Sequence, residues 1–178
     1  MKTTLWATLT ANGNYAQSSP DNPPKKEALE DFAAQAKAAG NFIVGRKTFQ
    51  EMSDPSRVSQ EEQVNTEGPF AGIDIVVLSK NIENIPGVTV VKSPQEAISY
   101  LSQKGHLTAL IGGGGDIHNS FLEQGLVDEV IFNVAPVLEG KGLNLLIDKD
   151  NYRFKAVRLL DCKPLGSDVV QLRYAIDR

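Results

Sequence analysis

The chain has one cysteine, two histidines and one tryptophan among its 178 residues. A single cysteine excludes an internal disulfide framework and any thiolate-rich zinc site. The histidines, His106 and His118, are too few for a rich set of nucleophile–base pairs, and no group of residues has metal-ligand spacing. An excess of positive charge is also missing. The net charge of −4 argues against a nucleic-acid or membrane-surface partner, so any cation that binds an anion must act locally. No apolar run approaches membrane-spanning length. The opening MKTTLWATLTANG turns polar too early for a signal peptide. Repeats, low-complexity tracts and linkers are lacking as well. The expectation is one cytoplasmic domain over residues 1–178, long enough to bury a single core.

What is present is an alternation of strands and helices. Residues 2–9 are rich in β-formers and read as a strand, with Trp6 in the core, followed by a turn at Thr10-Ala-Asn-Gly-Asn14. The chain stays loop through Pro24. A helix follows, with Leu29, Phe32, Ala33 and Ala36 as its inner stripe and Gly40 as its cap. Strands are expected at 41–44, 73–78, 88–91, 107–111 and 127–136. Ser93-Pro-Gln-Glu96 has the form of a capping box with proline at the first helical position. The segment 53–72 is polar without period and reads as an insertion or mobile loop. Residues 153–162 and 167–176 pair as a terminal antiparallel hairpin. The fold class is α/β: a mostly parallel mixed sheet with an antiparallel edge and helices on both faces.

The centre of this pattern is Leu110-Ile-Gly-Gly-Gly-Gly-Asp-Ile-His118. A buried strand runs into a backbone with almost no side chains, and a helix leaves it, ending near Gly125. Such a stretch is either a flexible tight turn or a cradle in which a phosphate meets backbone N–H groups and a helix dipole. Gly45-Arg-Lys-Thr48 is a second candidate, either an anion site or a solvated basic pair. Ser79-Lys80 stands at a third strand end, where ligands of open α/β sheets sit. Together these positions suit a ligand with several phosphates, such as a dinucleotide. The first strand leads to Asn12-Gly13 without the Rossmann glycine spacing, and Gly-Lys-Ser/Thr is absent, so neither of those nucleotide motifs applies. His118, in the first turn after the glycines, either faces a ligand or is a partly exposed helix residue. His106 reads as surface. Glu30, Asp31 and Asp116 are the remaining acid–base candidates, while Asp128-Glu129 read as caps.

Three blocks carry a resemblance. Phe42-Ile-Val-Gly-Arg-Lys-Thr-Phe49, Leu110-Ile-Gly-Gly-Gly-Gly-Asp-Ile117 with Phe121-Leu122, and Gly125-Leu-Val-Asp-Glu-Val130 with Ala135-Pro136 and Gly140-Lys-Gly142 resemble the dihydrofolate-reductase-like superfamily. Within it the chain is most similar to the reductase domain of the bifunctional riboflavin-biosynthesis deaminase–reductase. The resemblance implies a three-layer αβα fold, NADPH as cofactor, and hydride transfer to a small heterocyclic or ribosyl substrate, as in 5-amino-6-(5-phosphoribosylamino)uracil reductase. It implies that Ala7, Gly45, Arg46, Lys47, Thr48, Leu78, Ser79, Lys80 and Gly113, Gly114, Gly115, Asp116 and Ile117 bind the cofactor. Asn12, Glu30, Asp31 and His118 are the candidates for the substrate side, with no catalytic residue or metal assigned. A homodimer is also implied. The chain departs from the family at Ala11-Asn12-Gly13, where Leu-Asp-Gly is common, and at Gly112, where Glu is usual; each change removes an acid. The zinc signature of the deaminase half, one His and two Cys, cannot be assembled from one cysteine. A catalytically silent NADP-binding module and a true dihydrofolate reductase are the other readings.

Overall fold

Apolar runs bounded by turn residues set the strands. In the computed structural model, described over residues 1–16, 19, 21–54, 70–144 and 155–177, the first half of the chain forms β1 (Lys2–Thr10), β2 (Asn14–Tyr15), α1 (Lys26–Ala39), β3 (Asn41–Gly45), α2 (Arg46–Met52), β4 (Asp74–Leu78) and β5 (Thr89–Val91). The second half forms α3 (Pro94–Gln103), β6 (Thr108–Gly113), α4 (Gly115–Glu123), β7 (Glu129–Ala135), β8 (Leu143–Asn144), β9 (Val157–Gly166) and β10 (Val169–Ile176). The sheet order is β5-β4-β3-β6-β1-β7-β10-β9, with β2 and β8 pairing beside β1. Every pairing from β5 to β7 is parallel, and β10 and β9 add the antiparallel edge. This is the mostly parallel, three-layer arrangement expected from the alternation of elements.

Two cores form because strand side chains alternate. The first face carries α3 and α4 and buries Leu5, Ala7, Ile43, Ile111 and Phe121. The second carries α1 and buries Phe32, Phe42, Val44, Phe70 and Leu110. Alanine-rich α1 ends at Gly40, whose φ of 69° supplies the left-handed cap, with Lys37 beside the carbonyl end. At α3 the Ser93 hydroxyl accepts from the Glu96 N–H at 3.2 Å. The Glu96 carboxylate accepts from Lys92 N–H at 2.9 Å, one residue before the cap. The expected capping box is therefore present in a shifted form.

Several boundaries differ from the sequence expectation. Ala28, not Leu29, starts the buried stripe of α1, and Leu29 is 37% exposed. β6 continues through Gly112 and Gly113 before the chain turns, and β7 covers 129–135 within the expected 127–136. The hairpin turns at Ser167-Asp168, with φ of 47° and 62°. Two successive positive φ values are what a two-residue turn needs, and they move the first hairpin strand to 157–166. Residues 153 and 154 of the expected strand 153–162, and residues 55–69 of the expected loop 53–72, lie outside the described residues. At the end of that polar segment, however, Phe70 is core. Its ring lies 5.2 Å from Phe42 and 5.9 Å from Phe32. His106, expected at the surface, lies under Gly40 with its Nε2 2.7 Å from the Asp74 carboxylate and its side chain 18% exposed. Among the described residues, no helix is long and apolar enough to cross a membrane.

Phe70→Ala should destabilise the fold by about 3 kcal/mol, as expected for an aromatic lost from a packed cluster. Urea unfolding of the variant beside the parent measures this. A loss below about 0.5 kcal/mol, the level of a surface change, would remove Phe70 from the core.

Candidate functional site

Three neighbouring parallel strands, β4, β3 and β6, end in line, and β1 runs on beside them to Thr10. Gly45 closes β3 opposite Leu78 of β4, and Val44 pairs with Gly113 of β6. The β1–β6 register joins Leu5 to Ile111, and continued by two residues it sets Ala7 beside Gly113. Side by side at one end of the parallel strands therefore stand Ser79-Lys80, Arg46-Lys47-Thr48 and the glycine turn, with Ala7 of β1 beside them.

At the glycine turn, atoms from four other elements occupy the space a side chain would need. A Cβ on Gly112 would lie 2.8 Å from the Phe32 ring. On Gly113, whose φ is 114°, it would lie 2.9 Å from the Tyr15 hydroxyl and 3.1 Å from His118 Cε1. On Gly114 it would lie 3.0 Å from the Thr48 hydroxyl, which brings α2 directly against the turn. The peptide between Gly113 and Gly114 is cis. α4 begins at once, with Gly114 as an N-cap that offers no side-chain bond. Its first N–H groups and positive dipole end are thus left for another acceptor. Asp116 is exposed in that first turn, so its carboxylate competes with an anion and only its backbone suits one.

The cations around the turn make few bonds among the described residues. Lys47 and Lys80 are exposed, and Arg46 makes one long bond, Nη1 to Gln50 Oε1 at 3.3 Å. Ser79 is buried, its N–H bonded to Val91 O at 2.9 Å and its hydroxyl within 3.4 Å of Asn81 N. Leu78 and Ala7 commit their side chains to the first core. The donor set fits the phosphates of a dinucleotide such as NADPH: point charges, a hydroxyl at Thr48 and open backbone N–H groups.

Beneath the turn lies an uncharged pair. His118 is fully buried, contrary to the expectation of a partly exposed helix residue. Its Nε2 lies 3.2 Å from Ile111 O, and its buried Nδ1 has no partner among the described residues. Burial pulls the imidazole down to about 4, the backbone bond opposing this only in part, so the ring is neutral near pH 7. Tyr15 packs on it with ring centroids 5.7 Å apart, and burial pushes its phenol up to about 12. The Tyr15 hydroxyl has no hydrogen-bond partner among the described residues and stands at the lip of Gly113.

On the second face, near the same sheet end, Asp31 accepts from Trp6 Nε1 at 2.7 Å, Asn133 Nδ2 at 3.0 Å and Gln35 Nε2 at 3.2 Å. Gln171 donates to Asn133 Oδ1 at 2.9 Å and adds to the field on the carboxylate. Burial alone would raise the Asp31 carboxyl, but the combined donors outweigh it and hold it below its usual range. Asp31 is therefore an ionised, well-satisfied anchor. Glu30 is not brought to it: it faces solvent and pairs with Lys26 along the helix at 3.5 Å. Asn12 is also spent elsewhere. Its amide donates to Glu139 O at 2.8 Å and accepts from Glu139 N at 3.1 Å, clasping the loop after β1 to the loop after β7.

The model of the RibD C-terminal domain matches residues 3–171. This chain belongs to the RibD C-terminal domain family. Solved structures agree on the dihydrofolate-reductase-like fold. A protein from Shewanella sp. PV-4 described as a riboflavin biosynthesis protein is 19% identical, with a TM-score of 0.73 and full coverage of both chains. Acinetobacter baumannii RibD is 20% identical with a TM-score of 0.72, over 99% of this chain and 58% of that one. Dihydrofolate reductase from Enterococcus faecalis, complexed with NADP(H), is 17% identical with a TM-score of 0.69, over 99% and 97% of the two chains. No curated protein matches the sequence.

In this RibD C-terminal domain, Tyr15, Asn133 and Gln171 were not evident as site residues beforehand. A polar residue inside the apolar run Val130–Val137 was the available signal for Asn133. Tyr15 carried none, because only the short β1–β2 pairing, Leu9 opposite Tyr15, folds it back over the glycines.

The buried imidazole predicts an acid-side loss of stability. The folded ring holds its proton more weakly than the unfolded one, 4 against 6.5, so the unfolded chain gains protons first as pH falls. Stability should be full above pH 6.5 and decline toward pH 4, by up to about 3 kcal/mol. His118→Gln should flatten that slope in urea unfolding, and an unchanged slope would exonerate His118. Separately, Asp31→Ala strands the Trp6 and Asn133 donors and should cost about 2 kcal/mol, whereas Glu30→Ala should leave stability within about 0.5 kcal/mol.

Proposed function

We propose that this protein is an NADPH-dependent reductase of the riboflavin-reductase type, acting on a small heterocyclic or ribosyl substrate. The observation that carries the reading is the line of three strand ends, in which Lys80, Arg46, Lys47 and Thr48 flank an uncapped glycine turn. Membership in the RibD C-terminal domain family and the likeness to a reductase complexed with NADP(H) support it. Arg46, Lys47, Thr48 and the backbone of 113–117 hold the phosphates. Ser79 and Lys80 hold the adenosine 2′-phosphate, which is the physical basis for NADPH over NADH. Ala7 lies beside the nicotinamide. The cofactor supplies the hydride when bound, and this chain supplies orientation and charge complementarity. Tyr15 keeps its proton through the neutral range and offers a constant donor at the turn. The substrate is an aminopyrimidine ribosyl phosphate or a related pterin-like or carbonyl compound, and the setting is the cytoplasm.

A second reading, a nucleotide-binding module without turnover, draws support from the acids. Asp31 is held ionised and Glu30 faces solvent, so neither is poised as a proton donor at neutral pH. Oxidation of NADPH with a panel of pyrimidines and pterins separates the two readings.

Arg46→Ala should weaken NADPH binding about tenfold, the cost of one charge-assisted contact, with a loss that shrinks at high salt. Lys80→Ala should lower affinity for NADPH while leaving NADH unchanged. Nicotinamide fluorescence titrations measure both. Equal affinity of the parent for the two nucleotides would overturn the cofactor assignment.

A further inference from the structure

A reduction consumes a proton as well as a hydride. Among the described residues, the carboxyl groups near the turn are poorly placed to give one. Asp31 is held ionised by its donors, Glu30 pairs with Lys26 at the surface, and Asp116 faces solvent in the first turn of α4. His118 offers no proton toward the turn. The Ile111 carbonyl can only accept, so the ring carries its hydrogen on Nε2 and leaves Nδ1 as a bare lone pair. Tyr15 differs from all of these. Its hydroxyl has no partner among the described residues, and unlike His118 Nδ1 it is not sealed from solvent. It stands 2.9 Å from where a Cβ on Gly113 would lie, and Ala7 borders the same glycine.

The strand that carries Tyr15 is fixed along both edges. Tyr15 pairs with Leu9 of β1, and Ala16 N–H donates to Thr8 O at 2.9 Å. On the other edge β2 pairs with β8, Asn14 opposite Asn144 and Tyr15 opposite Leu143. Asn14 N–H also donates to the Thr10 hydroxyl at 3.0 Å. The Tyr15 ring rests on His118, the titratable side chain in contact with it. An unpartnered phenol is thus held in one place by backbone bonds and a ring contact. A group that meets its substrate without rearranging needs that support.

On the reductase reading of the site, we infer that the Tyr15 hydroxyl is the proton donor, and that the substrate bears a C=O or C=N group whose heteroatom meets it. The reductant is the dihydronicotinamide of NADPH, which gives up a hydride and is oxidised. As the substrate carbon gains that hydride, the π pair of the double bond moves onto oxygen or nitrogen. The heteroatom then takes the Tyr15 proton. The phenolic O–H bond breaks, an alcohol or amine is formed, and the phenolate regains a proton from water. Burial pushes the phenol up to about 12, so it keeps its proton through the neutral range. An alkoxide or deprotonated amine is a stronger base still and draws the proton off. The neutral His118 ring beneath puts no charge against this transfer.

The experiment compares the parent with Tyr15→Phe and with Tyr15→difluorotyrosine, whose more acidic phenol titrates where the fold survives. The first readout needs no turnover. With NADP⁺ bound, the positive nicotinamide should lower the fluorophenol titration, followed by absorbance, by about one pH unit relative to NADPH. The second is oxidation of NADPH with the panel of pyrimidines and pterins. Tyr15→Phe should lower kcat at least about a hundredfold, with KM and NADPH affinity within about threefold of the parent. The difluorotyrosine protein should lose activity as pH rises through its phenol titration, because only the protonated form donates. Should Tyr15→Phe not fold, the difluorotyrosine protein decides alone. Oxidation by the parent with none of the compounds overturns the reductase reading, and the proton donor with it. Turnover by Tyr15→Phe within about threefold of the parent, or a fluorophenol titration identical with NADP⁺ and NADPH, overturns the assignment of Tyr15 alone.

Discussion

The site depends on three glycines whose lack of side chains lets four other elements close in. Because Gly112, Gly113 and Gly114 carry no Cβ, the end of β6 lies against Phe32 of α1, Tyr15 of β2, His118 of α4 and Thr48 of α2 at once. Phe32 then connects the turn to the second core through Trp6, 5.0 Å away, and through Phe42 at 5.4 Å. Trp6 in turn donates to Asp31. A methyl group on any of the three glycines would displace an aromatic ring, the Tyr15 hydroxyl or the hydroxyl of the neighbouring helix. The glycine turn is thus a packing hub as well as an opening for backbone N–H groups.

Charge is divided around that hub. The chain is acidic as a whole, yet the cations on one side of the turn, Arg46, Lys47 and Lys80, make few internal commitments. Under the turn the polar groups are uncharged at neutral pH, since burial favours the neutral forms of both His118 and Tyr15. Across β1, Asp31 keeps its charge because four side chains donate toward it. Glu129 behaves likewise at the opposite end of the sheet. Burial would raise it, but Lys2 at 2.6 Å and Arg173 at 2.6 Å hold it below its usual range and tie three strands together. Lightly bonded cations with an uncapped helix suit a polyanion. Fixed neutral donors beside a satisfied carboxylate suit an uncharged polar group.

The sheet is also divided along its width. Its parallel strands are covered on both faces, as parallel strands with helical crossovers must be. The antiparallel strands return by a tight turn and bring no helix with them. The same topology that gathers the ligand-facing loops at one end therefore leaves an apolar face open at the other edge. Family membership is consistent with the first of these features, while the second follows from the alternation of side chains along β7, β10 and β9.

Local patterning in the sequence determined the order of strands and helices, the capped start of α3, the Gly40 stop of α1 and the glycine turn, because each rests on near neighbours in the chain. It also determined which cations stand at strand ends, and the three motif blocks that tie the chain to its family. Tertiary structure decided what depends on distant partners. It buried His118 by folding Tyr15 over it, and drew Phe70 into an aromatic cluster from a polar stretch. It separated Asp31 from Glu30, two adjacent carboxylates that a helical turn points in different directions. It spent Asn12 on a clasp with Glu139, 127 residues away. It shifted the hairpin, because Ser167 and Asp168 accept positive φ where the flanking strands align. Spacing along a chain specifies which side chains share a face; only packing specifies what covers that face.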